Sequence, residues 1–170
     1  MTAAYKFLAA GAVGPFSGVA WPTPIAGAPA AWLEAAGPVA TRGLHVCRAG
    51  DLAHWLHDEL WQLDTDGPAR AGLDCVIVER ARLVRRITAW DAGGAARFAA
   101  ACIAHAALAP ADADASTALL DDARQAAEAG YVAIAAYCAA LALGKRGGEP
   151  AYRDERAWQA GWIARTLIGG

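Results

Sequence analysis

The order of secondary-structure signals predicts an α+β fold: a small, mostly antiparallel sheet with one short crossing helix over residues 1–90, followed by an alanine-rich helical region over 91–170. Strand alternation and turn residues are concentrated before Trp90, helical spacing and caps follow it, and no internal repeat cuts across the division. The 170 residues suffice for one sizeable core and are short for two independent domains, so the two sub-regions are expected to form one compact domain. Hydrophobic residues make up 56% of the chain, but much of that is alanine, which buries little area and lets helices approach closely.

The first strand is predicted over 4–8 (AYKFL), where Tyr5 and Phe7 share one face. Glycine and proline then limit the chain to a brief strand over 16–19 and one short helix over 30–35, closed by Gly37 and Pro38. Residues 44–47 read as a strand. The Ala49-Gly50 turn then delivers Asp51 as N-cap of a helix over 52–57, whose Leu52, Trp55 and Leu56 share a face. ELWQLD over 59–64 returns as a strand, and Thr65-Asp66-Gly67-Pro68 reads as a turn because glycine accepts positive φ and proline cannot continue a ladder. Two further strands, over 73–79 and 82–88, complete the sheet, the second interleaving arginines with apolar residues so that one face meets water.

Asp91 is placed to cap a helix running to about residue 108, residues 110–114 read as a linker, and Ser116 as the next cap. Gly130 and Gly144 are expected to end two successive helices, with 131–143 apolar almost all round and therefore buried. KRGGE over 145–149 is a polar hinge, and Pro150 suits the first turn of a final helix over 151–168 that aligns Trp158 and Trp162 one turn apart.

A net charge of −2, from 15 Lys and Arg against 17 Asp and Glu, offers no field for gathering nucleic acid or anionic membrane, and neither is expected as a partner. No apolar run approaches the length of a membrane span, and the glycines and proline at 11–18 interrupt the early apolar stretch, which is read as mature structure rather than a signal peptide. Four widely spaced cysteines without a C-x-x-C pair point to reduced thiols and a cytoplasmic location.

Three of the four histidines fall in the stretch 42–67. His45 and Cys47 share a strand face, and His54 follows on the next helix, so a base beside a thiol is available at this strand–helix junction. The spacing fits no zinc pattern; no metal and no cofactor are expected. Arg80, Arg82, Arg85 and Arg86 read as the wet side of a strand answering the acidic residues next to it, with an anion pocket as the alternative. Of seven tryptophans, Trp21, Trp32, Trp55, Trp61 and Trp90 lie in the first half, where loops and sheet can shape an aromatic cleft.

The run Gly43-Leu44-His45-Val46-Cys47-Arg48, then Asp51-Leu52-Ala53-His54-Trp55-Leu56, Asp58-Glu59-Leu60-Trp61, Arg82-Leu83-Val84-Arg85 and Glu155-Arg156-Ala157-Trp158-Gln159-Ala160 resembles a family of small uncharacterised bacterial proteins common in high-GC actinobacteria. The resemblance spans nearly the whole chain and implies an architecture without an activity. In outline, Gly43 to Leu56 is also similar to the ADP-ribosyltransferase-type fold, in which a strand and following helix border an NAD cleft; that similarity implies a catalytic role for Glu79 as the late glutamate.

Three functional readings follow. The first is a binding module whose tryptophan-lined cleft holds an apolar small molecule or a partner peptide. A second makes the chain an enzyme at the strand–helix junction, with His45, Cys47, His54 and Glu79 as its catalytic candidates. In the third, the chain is a structural subunit that forms a homo-oligomer through the helix bearing Trp158 and Trp162.

Overall fold

A computed structural model describes residues 3–36, 43–108 and 114–169. The expected stop at Gly37 and Pro38, and the linker at 110–114 apart from its last residue, lie outside the described residues. The fold is α+β, a five-stranded antiparallel sheet followed by helices, and the chain divides into two compact units, Met1–Trp90 and Asp91–Gly170.

In the first unit the strands are β1 (Ala4–Leu8), β2 (Leu33–Glu34), β3 (Leu44–Val46), β4 (Glu59–Gly72) and β5 (Cys75–Arg86). β4 and β5 form one long hairpin, β1 pairs with β4, and β3 and β2 share the far edge of β5. Beyond β3, Tyr5 and Cys47 exchange two backbone hydrogen bonds of 2.8 and 2.7 Å, so the hydrogen-bonded path β1-β4-β5-β3 returns to β1. The sheet is therefore strongly curled, and β1 has no free edge at Tyr5. Leu8, Trp21, Val46, Leu63, Val78, Ala81 and Leu83 fill its core.

Several expectations are corrected here. Residues 30–35 are not helical: Leu33 and Glu34 pair with Ala81 and Arg80, while Ala30 and Ala35 donate to the carbonyls of Leu83 and Glu79. Six residues are too few to stabilise a helix on propensity alone, and an open edge of β5 offers every backbone group a partner. The strand over 16–19 is instead a turn, in which Gly18 donates to Gly14 and Gly14 to Val19, leaving Phe16 exposed. No turn forms at 65–68. β4 runs through it with a bulge between Asp66 and Ala69, which absorbs the positive φ of Gly67 (81°) and the missing N–H of Pro68. The reversal comes at Leu73 and Asp74, and the two strands expected over 73–88 are the single strand β5.

The second unit holds α1 (Ala92–Ala107), α2 (Asp114–Glu128) and α3 (Val132–Ile163), the last ending in a π-helical turn, Ala164–Ile168. Asp91 caps α1, its carboxylate accepting from the Gly94 amide at 2.7 Å, and Gly130 at φ 79° ends the turn after α2. Ser116 is not a cap; it is buried within α2, where its Oγ accepts from Arg146 Nε at 2.9 Å. Nor does Gly144 end a helix. The break falls at Gly148 (φ 70°), just before Pro150. Gln159 Nε2 donates to the Ala136 carbonyl at 2.9 Å, whereas a straight helix would separate residues so far apart by about 35 Å. α3 therefore doubles back at Gly148. Its halves approach closely because Ala135, Ala136, Ala139, Ala140, Ala142 and Ala160 are fully buried. The expectation that all of 131–143 is buried fails for the same reason: small residues take the contact, and Tyr131, Ile134 and Tyr137 face outward.

Candidate functional site

The sequence from Arg48 to Trp55 folds into a 3₁₀ helix (Ala49–His54) rather than the α-helix expected over 52–57. Asp51 is its third residue, not its N-cap: its carboxylate reaches back to the Arg48 amide at 3.1 Å and takes the guanidinium at 2.8 and 3.1 Å. This clamp buries Leu52 and brings Trp55 against the β4–β5 turn, where its indole N–H donates to the Asp74 carbonyl at 2.6 Å. Trp55 is thereby fixed in orientation, with Phe16 edge-on to it at 6.2 Å and the His45 ring at 6.4 Å.

Beside this trio the first unit forms an open pocket of about 410 Å³. Its wall comes from β1, the loop from Gly14 to Trp21, the segment around β2, and β3 with the residues flanking it; Trp55 and Cys75 complete it. Much of this lining is apolar: Phe16, Val19, Trp21, Leu33, Leu44 and Trp55. Lys6 enters from β1. Alternation along β1 puts it opposite Tyr5 and Phe7, and its Nζ donates to the His45 carbonyl at 2.6 Å and lies 5.4 Å from the Trp21 ring centroid. Burial pulls the Lys6 ammonium below its ordinary 10.5, against a smaller opposing pull from the Cys47 and Cys75 thiols.

His45 and Cys47 both border the cavity, and among the described residues no hydrogen bond joins them. Burial, helped by the Lys6 and Arg70 charges, holds the His45 imidazole below 6.5. Burial also pushes the Cys47 thiol up to about 12, so it is protonated at neutral pH and is no nucleophile in this state. His54 and Glu79 are not on the cavity wall: His54 faces Asp74 at 3.7 Å, and Glu79 lies over the Gly67 bulge. The four catalytic candidates do not converge.

Of the five tryptophans expected to line a cleft, Trp21 and Trp55 do so. Trp32 is stacked by the guanidinium groups of Arg80 and Arg82, 4.9 and 4.6 Å from its ring centroid. Trp61 donates to Glu59 at 2.9 Å, and Trp90 donates to the His57 carbonyl at 2.8 Å and packs edge-on against Phe7. Those three rings are not on the wall of this cavity. Three of the four arginines of β5 face acidic partners across the hairpin, Arg80 with Asp66, Arg82 with Asp64 at 2.8 Å, and Arg86 with Glu59 at 3.4 Å, while Arg85 donates to Gln62 Oε1 at 2.7 Å. In the second unit Trp158 stacks on His105 at 3.8 Å and Trp162 packs on Phe98 at 5.5 Å, so α1 covers the stripe they form.

Lys6 and Phe16 were not singled out by sequence. Alternation in AYKFL did mark Lys6 as a charged side chain opposite Tyr5 and Phe7, on the face it shares with Leu8, and an exposed aromatic between two loop glycines is the matching signal for Phe16. Among the described residues no three His, Cys, Asp or Glu side chains are grouped to hold a metal ion, and no helix is long and apolar enough to cross a membrane. Set against protein-family models, curated proteins and solved structures, the chain matches none of them.

Proposed function

We propose that the Met1–Trp90 unit is a binding module for a small, planar, largely apolar molecule. The observation that carries this is the cavity of about 410 Å³ between Trp21, Trp55, Phe16 and Leu44, a volume within the range of small-molecule sites of about 300–1,000 Å³. Aromatic walls offer such a ligand both apolar burial and ring stacking, and the bond from Trp55 to Asp74 fixes one wall before the ligand arrives. Binding without turnover is the better supported reading, because the thiol on the wall is held protonated and, among the described residues, no base is hydrogen-bonded to it.

The test is a titration of the full chain with phenylnaphthylamine, a neutral two-ring probe that brightens in apolar surroundings. Saturable one-to-one binding, with a parallel change in tryptophan emission, is the expected result. A linear, non-saturating response would overturn the proposal.

A further inference from the structure

We propose that the natural ligand of this cavity carries a carboxylate, and that the Lys6 ammonium is the group that receives it while the apolar body lies between Trp21, Trp55 and Phe16. This inference rests on the binding reading above and adds the chemical class of the ligand.

An ammonium has three hydrogens to donate. The Lys6 ammonium donates to the His45 carbonyl, and its second described contact is the Trp21 ring face. Among the described residues no carboxylate lies within ion-pair distance of it. Glu34, the carboxylate on the cavity wall, is exposed and faces Arg80 at 3.7 Å, and Asp51 nearby is held by Arg48. The remaining titratable groups of the wall are neutral near pH 7, since His45 is held below 6.5 and the thiols of Cys47 and Cys75 are both raised by burial.

A cation in apolar surroundings is costly unless it is paired, and a ring face compensates it only in part. A ligand carboxylate would supply both the counter-charge and the missing acceptors through charge-assisted hydrogen bonds. An apolar molecule with one acidic end is thus the complement of this wall, and a neutral analogue would leave the Lys6 charge as costly as before. Binding such an anion also stabilises the ammonium, so complex formation at alkaline pH takes up a proton.

The experiment displaces phenylnaphthylamine from the full chain with naphthoate and, separately, with naphthamide, a pair matched in size and differing in charge. Naphthoate is expected to displace the probe at a concentration about tenfold lower, as one charge-assisted hydrogen bond of about 1.5 kcal/mol implies. The preference is expected to fade as pH rises and Lys6 loses its proton. His45, held below 6.5 by burial, is already neutral. Burial also raises the Cys47 and Cys75 thiols, so the Lys6 variants separate loss of the Lys6 charge from ionisation of a thiol. In Lys6→Met and Lys6→Gln the two competitors should become equivalent. Equal displacement by both in the unmodified chain, or a preference that survives high pH and either variant, would overturn the inference while leaving the binding reading in place. Failure of the neutral probe to bind would remove the binding reading, and this inference with it.

Discussion

Phe16 is 86% exposed, yet its ring borders the cavity and meets Trp55 edge-on. An aromatic side chain left in water in a turn held by Gly14 and Gly18 gains little in folding, so its packing energy is available to a ligand. Phe16→Ala is therefore expected to weaken phenylnaphthylamine binding about fivefold, the equivalent of about 1 kcal/mol of aromatic contact, and to leave the melting temperature unchanged. Trp32→Ala supplies the contrast. Its ring is committed to Arg80 and Arg82, so it should lower stability and spare probe affinity. Probe titrations and thermal melts of both variants check this, and equal affinities for Phe16→Ala and the parent would remove Phe16 from the site. At this scale the aromatic content of the first unit was legible in sequence, and the division between rings that line the hollow and rings that close the core was not. That division depends on partners distant in the chain, Asp74 for Trp55 and His57 for Trp90, which local pattern does not encode. Lys6 was hidden for a related reason: a single lysine in a strand is ordinary until the partners of its amine are known.

Elements with strong local signals formed where the sequence placed them: β1 by its alternation, α1 by the Asp91 cap, and the end of α2 by Gly130. Those misread were segments where tertiary hydrogen bonding outweighed local propensity. Leu33 and Glu34 exchanged a marginal helix for the edge of β5, and Gly67-Pro68, a good turn in isolation, became a bulge because the strand beyond it still had β5 to pair with. The bulge makes a specific demand on Gly67. Its φ is 81°, and an added Cβ would stand 2.7 Å from Glu79 Oε2. The carboxylate can swing away, but the backbone conformation remains unfavourable for any L side chain, so Gly67→Ala should destabilise the chain by about 1–3 kcal/mol. Gly50→Ala is the control, since nothing lies within 4 Å of its Cβ position and its φ is not positive. It is expected to be neutral in urea unfolding. A Gly67→Ala variant as stable as the parent would mean that the hairpin does not keep this bulge.

For the molecule as a whole, the sequence of strands then helices was enough to establish the α+β class, whereas the closing of β1 onto Cys47 and the doubling back of α3 at Gly148 depend on contacts between distant residues. The molecule's response to pH follows from how it treats its thiols. All four cysteines are free, and burial raises the ionisation of each one, to about 12 for Cys47. In the unfolded chain a thiol ionises near 9.0, so above that pH the native state holds protons that the unfolded state has released. Stability from this source is fully present below 9.0 and is lost as pH rises through the folded value. Lys6 acts with the opposite sign: its folded value lies below 10.5, so the native state releases that proton first and gains stability as pH rises through the same region. Several raised thiols outweigh one lowered amine, and the melting temperature is expected to fall steadily above pH 9 in reducing buffer. Cys47→Ala should make that fall shallower even where the cavity it leaves lowers the melting temperature at neutral pH, and Lys6→Met should make it steeper. Thermal melts by circular dichroism across neutral to alkaline pH read both slopes. Parallel curves for Cys47→Ala and the parent would mean that Cys47 is not buried as a protonated thiol, and the case for binding without turnover would lose that support.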